Sequence, residues 1–406
     1  MAAVTVGVSH LVQSTRAGAM YGFALLIFII IAIATKYPTY LFAPRYTQTT
    51  GVSIVDGFRR QGRWALVLFA FIFPIPGLVG VAAVMIITAG IAQAFLNLSA
   101  SPSMISVFIS FITAALLISG RYHWLDLIMK ILILVLSATT IIAAVMIIPY
   151  IDWHYSWKLY PDDFAMGTIL FTAALFGWMP GPLESTVNHS LWLKAKIQDT
   201  GYRPNATESS LDFHIGYFMA LLLAICFLML GTGVMHGKGL VFEESAGGFA
   251  AQVIALYTQT LGEWSRPLIG VSALAVVYST VLAATDGYSR IAATIVSCFK
   301  RPETPAQNHK ANTSNFLYTC CVAIFSSGSL CIILFLMSSF KTLIDIATTL
   351  SFLTTPVLAF LIHRCIMSSD IPQEVRPGRF LWFYSLLCIG ILTAFAAGYL
   401  YLITVR

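Results

Sequence analysis

Two stretches of the chain place polar or helix-breaking residues inside apolar surroundings, and ligand chemistry could occur there. The first is Gly7-Val8-Ser9-His10-Leu11-Val12-Gln13-Ser14-Thr15-Arg16, a polar strip within an apolar run. The second is Met179-Pro180-Gly181-Pro182-Leu183-Glu184-Ser185-Thr186, in which two prolines flanking a glycine remove two amide donors and forbid a regular helix. Interrupted helices expose backbone N–H groups with a positive dipole end on one side of the break and carbonyl groups on the other. With donors from Ser9, His10, Gln13, Ser14 and Thr15 and free backbone at Gly7 and Gly181, such ends would hold a small planar oxyanion. Glu184 lies beside the second interruption, and an acid at membrane depth is a functional candidate. A third group, Ser279, Thr280, Thr285 and Asp286, could offer oxygens to a sodium ion, while Arg290 one turn beyond Asp286 predicts an i,i+4 ion pair instead.

The elements that must carry these residues follow from composition. Of 406 residues, 58% are hydrophobic and 10% charged, and the mean hydropathy is +0.83. An ordinary soluble domain carries roughly a quarter charged residues. Most of the chain is therefore solvated by lipid, and a nucleic-acid binder or soluble enzyme is excluded on composition. Apolar runs predict spans at about 20–36, 64–96, 103–120, 125–149, 166–195, 214–235, 267–298, 315–338, 343–364 and 380–402, preceded by a shorter run at 2–15. That makes an all-α polytopic membrane protein of eleven spans in one domain, 1–406. The first run is too short for a whole lipid-facing helix and is expected to be broken or to lack its first turns. No cleavable signal peptide is expected, because the run flows through Gly7, His10 and Arg16 into the next without a small-residue cleavage site.

Basic residues set the expected orientation. With the 37–63 loop inside, fifteen Lys and Arg, Lys36 among them, fall on the cytoplasmic side, against Lys158, Lys238, Arg266, Lys341 and Arg406 outside. The N-terminus is then cytoplasmic and the C-terminus outside, in what we expect to be a bacterial inner membrane. Lys130 and Asp345 are expected to be packing or interface residues. The seven cysteines are odd in number and make no CxxC or His-spaced cluster, so a disulfide framework or zinc site is not expected. No Ser/His/Asp constellation, phosphate loop or nucleotide motif is present, and neither an enzymatic step nor a cofactor is expected.

Interruptions in the first and sixth spans, five spans apart, are what an inverted five-plus-five repeat produces, with a site between broken helices near the midplane. Repeat one would cover about 1–150 and repeat two about 160–365, with an added helix at about 380–402. Other stretches carry a resemblance. Arg16-Ala17-Gly18-Ala19-Met20-Tyr21-Gly22, Thr35-Lys36-Tyr37-Pro38-Thr39-Tyr40 with Gly57 to Trp64, and Gly120-Arg121-Tyr122-His123-Trp124-Leu125-Asp126 with Met129-Lys130 resemble the natural resistance-associated macrophage proteins (NRAMP). That resemblance implies eleven spans, the leucine-transporter fold and secondary transport of divalent transition metals.

The metal ligands that the resemblance implies are altered. Where the family carries Asp-Pro-Gly-Asn in its first helix, this chain has Gly7-Val8-Ser9-His10. Met179-Pro180 matches the family's Met-Pro, but Gly181-Pro182 replaces the following His-Asn, and an alternative anchoring on His189-Ser190 loses the methionine as well. Between Asp56 and Asp126 there is no acidic residue, and Thr88 stands near where the family has a glutamate. A dication needs oxygen or nitrogen ligands with negative charge to offset dehydration. The sequence therefore favours an NRAMP-related carrier of a small inorganic anion, bicarbonate first, driven by a Na+ or H+ gradient across the bilayer. The alternative is a divalent metal importer (Mn2+, Mg2+ or Fe2+) using His10, Met179 and Glu184. The substrate site is expected at Gly7, Ser9, His10, Gln13, Ser14, Thr15, Met179, Gly181 and Glu184, and the coupling-ion site at Ser279, Thr280 and Asp286.

Overall fold

The computed structural model describes residues 7–120, 123–158, 160–161, 164–238, 243, 245–300, 315–336 and 339–405, with backbone alone for 123–130 and 155. The expectations for residues 2–6 and for the side chain of Lys130 lie outside the described residues. The described chain is helical, with no strand. Among the described residues, nine helices are long and apolar enough to cross a membrane, Leu26–Thr50 and Arg63–Leu96 among them.

In chain order, a wide π-helical turn at Ser9–Ser14 leads into α1 (Thr15–Tyr21). Then come α2 (Leu26–Thr50), α3 (Ile54–Arg60), α4 (Arg63–Ile72), α5 (Pro74–Leu96), α6 (Pro102–Ser119) and α7 (His123–Ile147). After the short α8 (Trp153–Ser156) follow α9 (Met166–Trp178), α10 (Glu184–Thr200), α11 (Ala206–Met235) and α12 (Ala246–Leu261). The chain continues with α13 (Arg266–Lys300), α14 (Asn315–Cys331), α15 (Phe340–Ile366) and α16 (Arg379–Thr404).

The sixth expected span is split as its prolines require: α9 ends at Trp178, Met179 is extended, and α10 begins at Glu184. The first segment differs from expectation. Ser9 to Thr15 is helical and buried throughout, so its polar strip is not an unwound stretch. Polar side chains without a proline leave every backbone donor in place, and the ladder survives by widening to a π turn.

The second helix also departs from expectation, and this bears on the site. A span ending at residue 36 followed by a loop at 37–63 is corrected to a helix that continues to Thr50 through Pro38 and Pro44. Proline inside a membrane helix is tolerated where neighbouring helices re-satisfy the freed groups. Lys36 is consequently fully buried in the bundle and cannot be counted among cytoplasmic loop charges. The 51–63 connection contains α3, started by a capping box of Ser53 and Asp56. That connection is clamped to α10: the Ile54 amide donates to Ser190 Oγ at 2.7 Å and Lys194 pairs with Asp56 at 3.0 Å.

Backbone contact fixes how α1 sits. A Cβ built on Gly18 would lie 2.0 Å from Leu228 O, and one on Gly231 would lie 2.3 Å from Thr15 O. Glycine on both faces lets α1 and α11 touch backbone to backbone, the packing mode expected of membrane helices.

Candidate functional site

Accounting for the carbonyl groups at the 179–183 break defines the site. Unwound backbone at membrane depth must find partners, and here they come from the π turn and from α2. Ser9 Oγ donates to Pro180 O at 3.1 Å. Lys36 Nζ donates to Phe176 O at 2.6 Å, Gly177 O at 2.8 Å and Gly181 O at 3.3 Å. Tyr40 OH donates to Pro182 O at 2.9 Å and lies 3.0 Å from Ser185 Oγ. Lys36 and Tyr40 are four apart and share a face of α2. Thr47 continues that face, its hydroxyl 2.7 Å from Ser190 Oγ. Neither Lys36 nor Tyr40 was expected at the site. The available signal was a lysine and a tyrosine at helical spacing within an apolar stretch, which a reading that stops the helix at Pro38 discards.

The π turn is stitched to its neighbours. The Ala220 carbonyl can only accept, so His10 Nε2 carries the proton and donates to it at 2.9 Å, while Nδ1 faces Ser9 Oγ at 3.0 Å. Nε2 of His10 is thus engaged, while Nδ1 lies beside a hydroxyl whose one proton goes to Pro180 O. Ser14 Oγ donates to Met179 Sδ at 3.4 Å, and Met179 is fully buried. Gln13 Oε1 accepts from Arg16 at 3.3 Å, whereas Gln13 Nε2 and Thr15 Oγ1 are buried with no partner. Arg16 is buried, paired with Asp345 at 2.9 Å, and lies over the Phe171 ring at 5.0 Å. Arg16, Phe171 and Asp345 border an open recess of about 600 Å³ that also touches Lys341 and Tyr399.

Beside the break lies a partly open cavity of about 70 Å³, room for a few waters or one small solute. Gly7 and Ser9, Pro182, Ser185 and Asn188, and Thr280 and Tyr288 contribute to its wall. Of the expected substrate residues, the structure brings Gly7 and Ser9 to this cavity. Thr280, expected for a coupling ion, meets them there: a Cβ on Gly7 would lie 2.7 Å from Thr280 Oγ1. His10, Gln13, Ser14, Thr15, Met179, Gly181 and Glu184 are not part of its wall. Asn188, absent from the expected set, borders it with a buried Oδ1 that has no partner.

The two intramembrane acids have different surroundings. Glu184, 2% exposed, accepts from Thr354 Oγ1 at 2.8 Å through Oε1, and its Oε2 has no partner. His189 Nδ1, about one turn along α10, is buried without a partner as well. Asp286 receives Arg290 Nε at 2.8 and 2.9 Å, Trp192 Nε1 at 2.7 Å and Tyr318 OH at 2.5 Å. Its lone pairs are filled by protein donors. Ser279 and Thr280 hydroxyls both turn back onto Val276 O, at 2.7 and 3.0 Å. The expected sodium ligands therefore do not converge: Thr280 faces the cavity, whereas Asp286 joins α13 to α10 and α14. Among the described residues, no three His, Cys, Asp or Glu side chains come close enough to hold a metal ion.

A multi-pass helical bundle with one helix broken beside a small cavity has the architecture of a secondary transporter. Solved structures share this architecture. A crystal structure of a manganese transporter variant from Eremococcus coleocola matches with a TM-score of 0.68 at 14% identity, over 97% of this chain and 83% of that one. A nucleobase-cation-symport-1 family transporter matches with a TM-score of 0.58 at 13% identity, over 98% and 90%. A Na+-coupled sialic acid symporter matches with a TM-score of 0.57 at 14% identity, over 98% and 88%. At these identities the likeness shows the fold alone. An uncharacterized protein of Pasteurella multocida (strain Pm70) is 29% identical over 97% of this chain and 89% of its own length. The family model described as natural resistance-associated macrophage protein-like matches residues 1–402, and the chain belongs to that family. It is a transporter and not an enzyme, and an integral multi-pass membrane protein.

Proposed function

We propose that this chain is a secondary active transporter of a small inorganic anion, with bicarbonate the first candidate. Alternating access would proceed around the cavity between the π turn, the 179–183 break and α13, with the break's two half-helices moving against the rest. The observation that carries this reading is the chemistry of the cavity wall. Its polar groups are the hydroxyls of Ser9, Ser185, Thr280 and Tyr288 and the Asn188 amide, all neutral. Tyr288 offers an oxyanion a hydroxyl donor, and Ser9 and Thr280 supply theirs by releasing Pro180 O and Val276 O, whereas a dehydrated dication finds no carboxylate, imidazole or thioether facing it. In this reading the chain has eleven spans: the nine long helices, the π turn with α1, and α9 with α10. The two repeats cover about 1–150 and 160–365, α16 is the added helix, and the host membrane is the bacterial inner membrane with the N-terminus inside. A Na+ or H+ gradient drives uptake.

A divalent metal is the second reading, favoured by the unpartnered Oε2 of Glu184 and by the fold shared with a manganese transporter. It requires His10 to release Ala220 and Met179 to release Ser14, so that both turn toward Glu184. Purified protein in liposomes, assayed for labelled bicarbonate and labelled manganese with and without a sodium gradient, separates the two. Saturable bicarbonate entry without manganese entry is expected. Manganese entry without bicarbonate entry overturns the anion reading and establishes the second.

A further inference from the structure

The buried Lys36 ammonium lies at one end of a broken helix and is used by nothing in the transport scheme above. It donates to three carbonyl oxygens at 2.6, 2.8 and 3.3 Å, two from the last turn of α9 and one from the break. A neutral amine has only two N–H groups, so three acceptors call for the ammonium form. The last carbonyls of a helix carry its negative dipole end and are natural cation ligands. At transporter breaks, such half-helix ends and unwound carbonyls coordinate coupling cations. Across the same break, Glu184 occupies the first turn of α10, the positive dipole end, and interacts electrostatically with Lys36. Each half-helix dipole therefore meets a side-chain charge of opposite sign supplied by this chain itself.

We propose that Lys36 is a tethered cation: its ammonium fills a three-carbonyl cradle at the C-terminal end of α9, a site whose free ligand would be a small monovalent or alkylammonium cation. The cradle's position needs no free ion while the lysine is seated. Resting on the anion reading, a second consequence follows: Lys36 supplies the fixed positive charge next to the cavity, whose neighbouring wall residues are Trp178 and Pro182.

The test uses the full-length chain. Lys36→Ala removes a propylammonium fragment, so n-propylammonium chloride is the complementary probe. Thermal unfolding in detergent is followed with n-propylammonium against equal concentrations of tetramethylammonium chloride. We expect a saturable upward shift of the Lys36→Ala midpoint by n-propylammonium alone, and none for the unsubstituted chain. Equal response of both chains to both salts overturns the cradle. Should Lys36→Ala fail to fold, Lys36→Gln carries the test, since it keeps two N–H donors and loses the charge. At least tenfold slower bicarbonate uptake per folded Lys36→Gln protein is expected, and uptake equal to that of the unsubstituted chain overturns the charge role. The unfolding arm contains no substrate, so an n-propylammonium shift in a protein that carries no bicarbonate keeps the cradle and rejects only the anion reading.

Discussion

Glu184 and Asp286 are both carboxylates buried within the helical bundle, and what surrounds them differs. Asp286 meets an arginine, an indole and a phenol, which together saturate it. Glu184 meets one threonine hydroxyl and the Lys36 charge, and keeps one oxygen without a hydrogen-bond partner. A buried polar group is costly to leave unpaired. The Asp286 cluster is thus arranged as a structural joint between α10, α13 and α14, whereas Glu184 keeps an open valence beside the break. An acid inside a membrane helix is a candidate for function, but its neighbours decide between joint and working group.

The largest effect that would test this contrast is loss of the joint. Asp286→Ala leaves Arg290 without its carboxylate. Removing one partner of a buried pair costs roughly 3–5 kcal/mol, reduced here to about 2 kcal/mol because Arg290 is partly exposed. The thermal midpoint in detergent should fall while uptake per folded protein is retained. An unchanged midpoint with lost sodium dependence would reverse the assignment and make Asp286 a coupling ligand.

Glu184→Gln should act mainly on uptake. The amide keeps the Thr354 contact and the volume and loses only the charge facing Lys36, so the midpoint should fall less than that of Asp286→Ala, while uptake in liposomes should fall about tenfold, equivalent to about 1.4 kcal/mol. A variant that melts early and transports at the normal rate would make Glu184 a joint like Asp286. Tyr318→Phe sharpens the contrast at smaller scale: losing one donor to Asp286 should cost about 0.6–1.7 kcal/mol by thermal unfolding, with uptake unchanged. The smallest expected effect is that of Ser14→Ala, which removes the contact to Met179 Sδ. Its midpoint should move by less than about 0.5 kcal/mol, and manganese uptake appearing in this variant would show that the thioether can be freed for a metal.

Much of the architecture was legible in the chain. Apolar runs located most long helices because lipid demands about twenty apolar residues per crossing. Pro180 and Pro182 located the break because each lacks an amide hydrogen, a local property that no neighbour can restore. The polar strip at residues 9–15 was misread as unwound for the converse reason: hydroxyls and imidazole compete with the ladder without removing any donor from it. Pro38 and Pro44 misled in the other direction, since a bundle can hold a helix together through prolines that would end it in water.

By itself, then, the sequence determined that the protein lives in a membrane, where one helix must break, and to which family its motifs point. Only the tertiary structure decided who answers that break. Lys36 meets its carbonyl partners 140 to 145 residues along the chain. Unwound backbone obliges some donor to arrive, but nothing local names it, and only the crossing of α2 against α9 and α10 brings Lys36 and Tyr40 there. The packing of α13 against α10 and α14 likewise turned Thr280 and Asn188 toward the cavity and tied Asp286 to Trp192 and Tyr318, because which face of a helix meets a neighbour is settled by packing between distant segments.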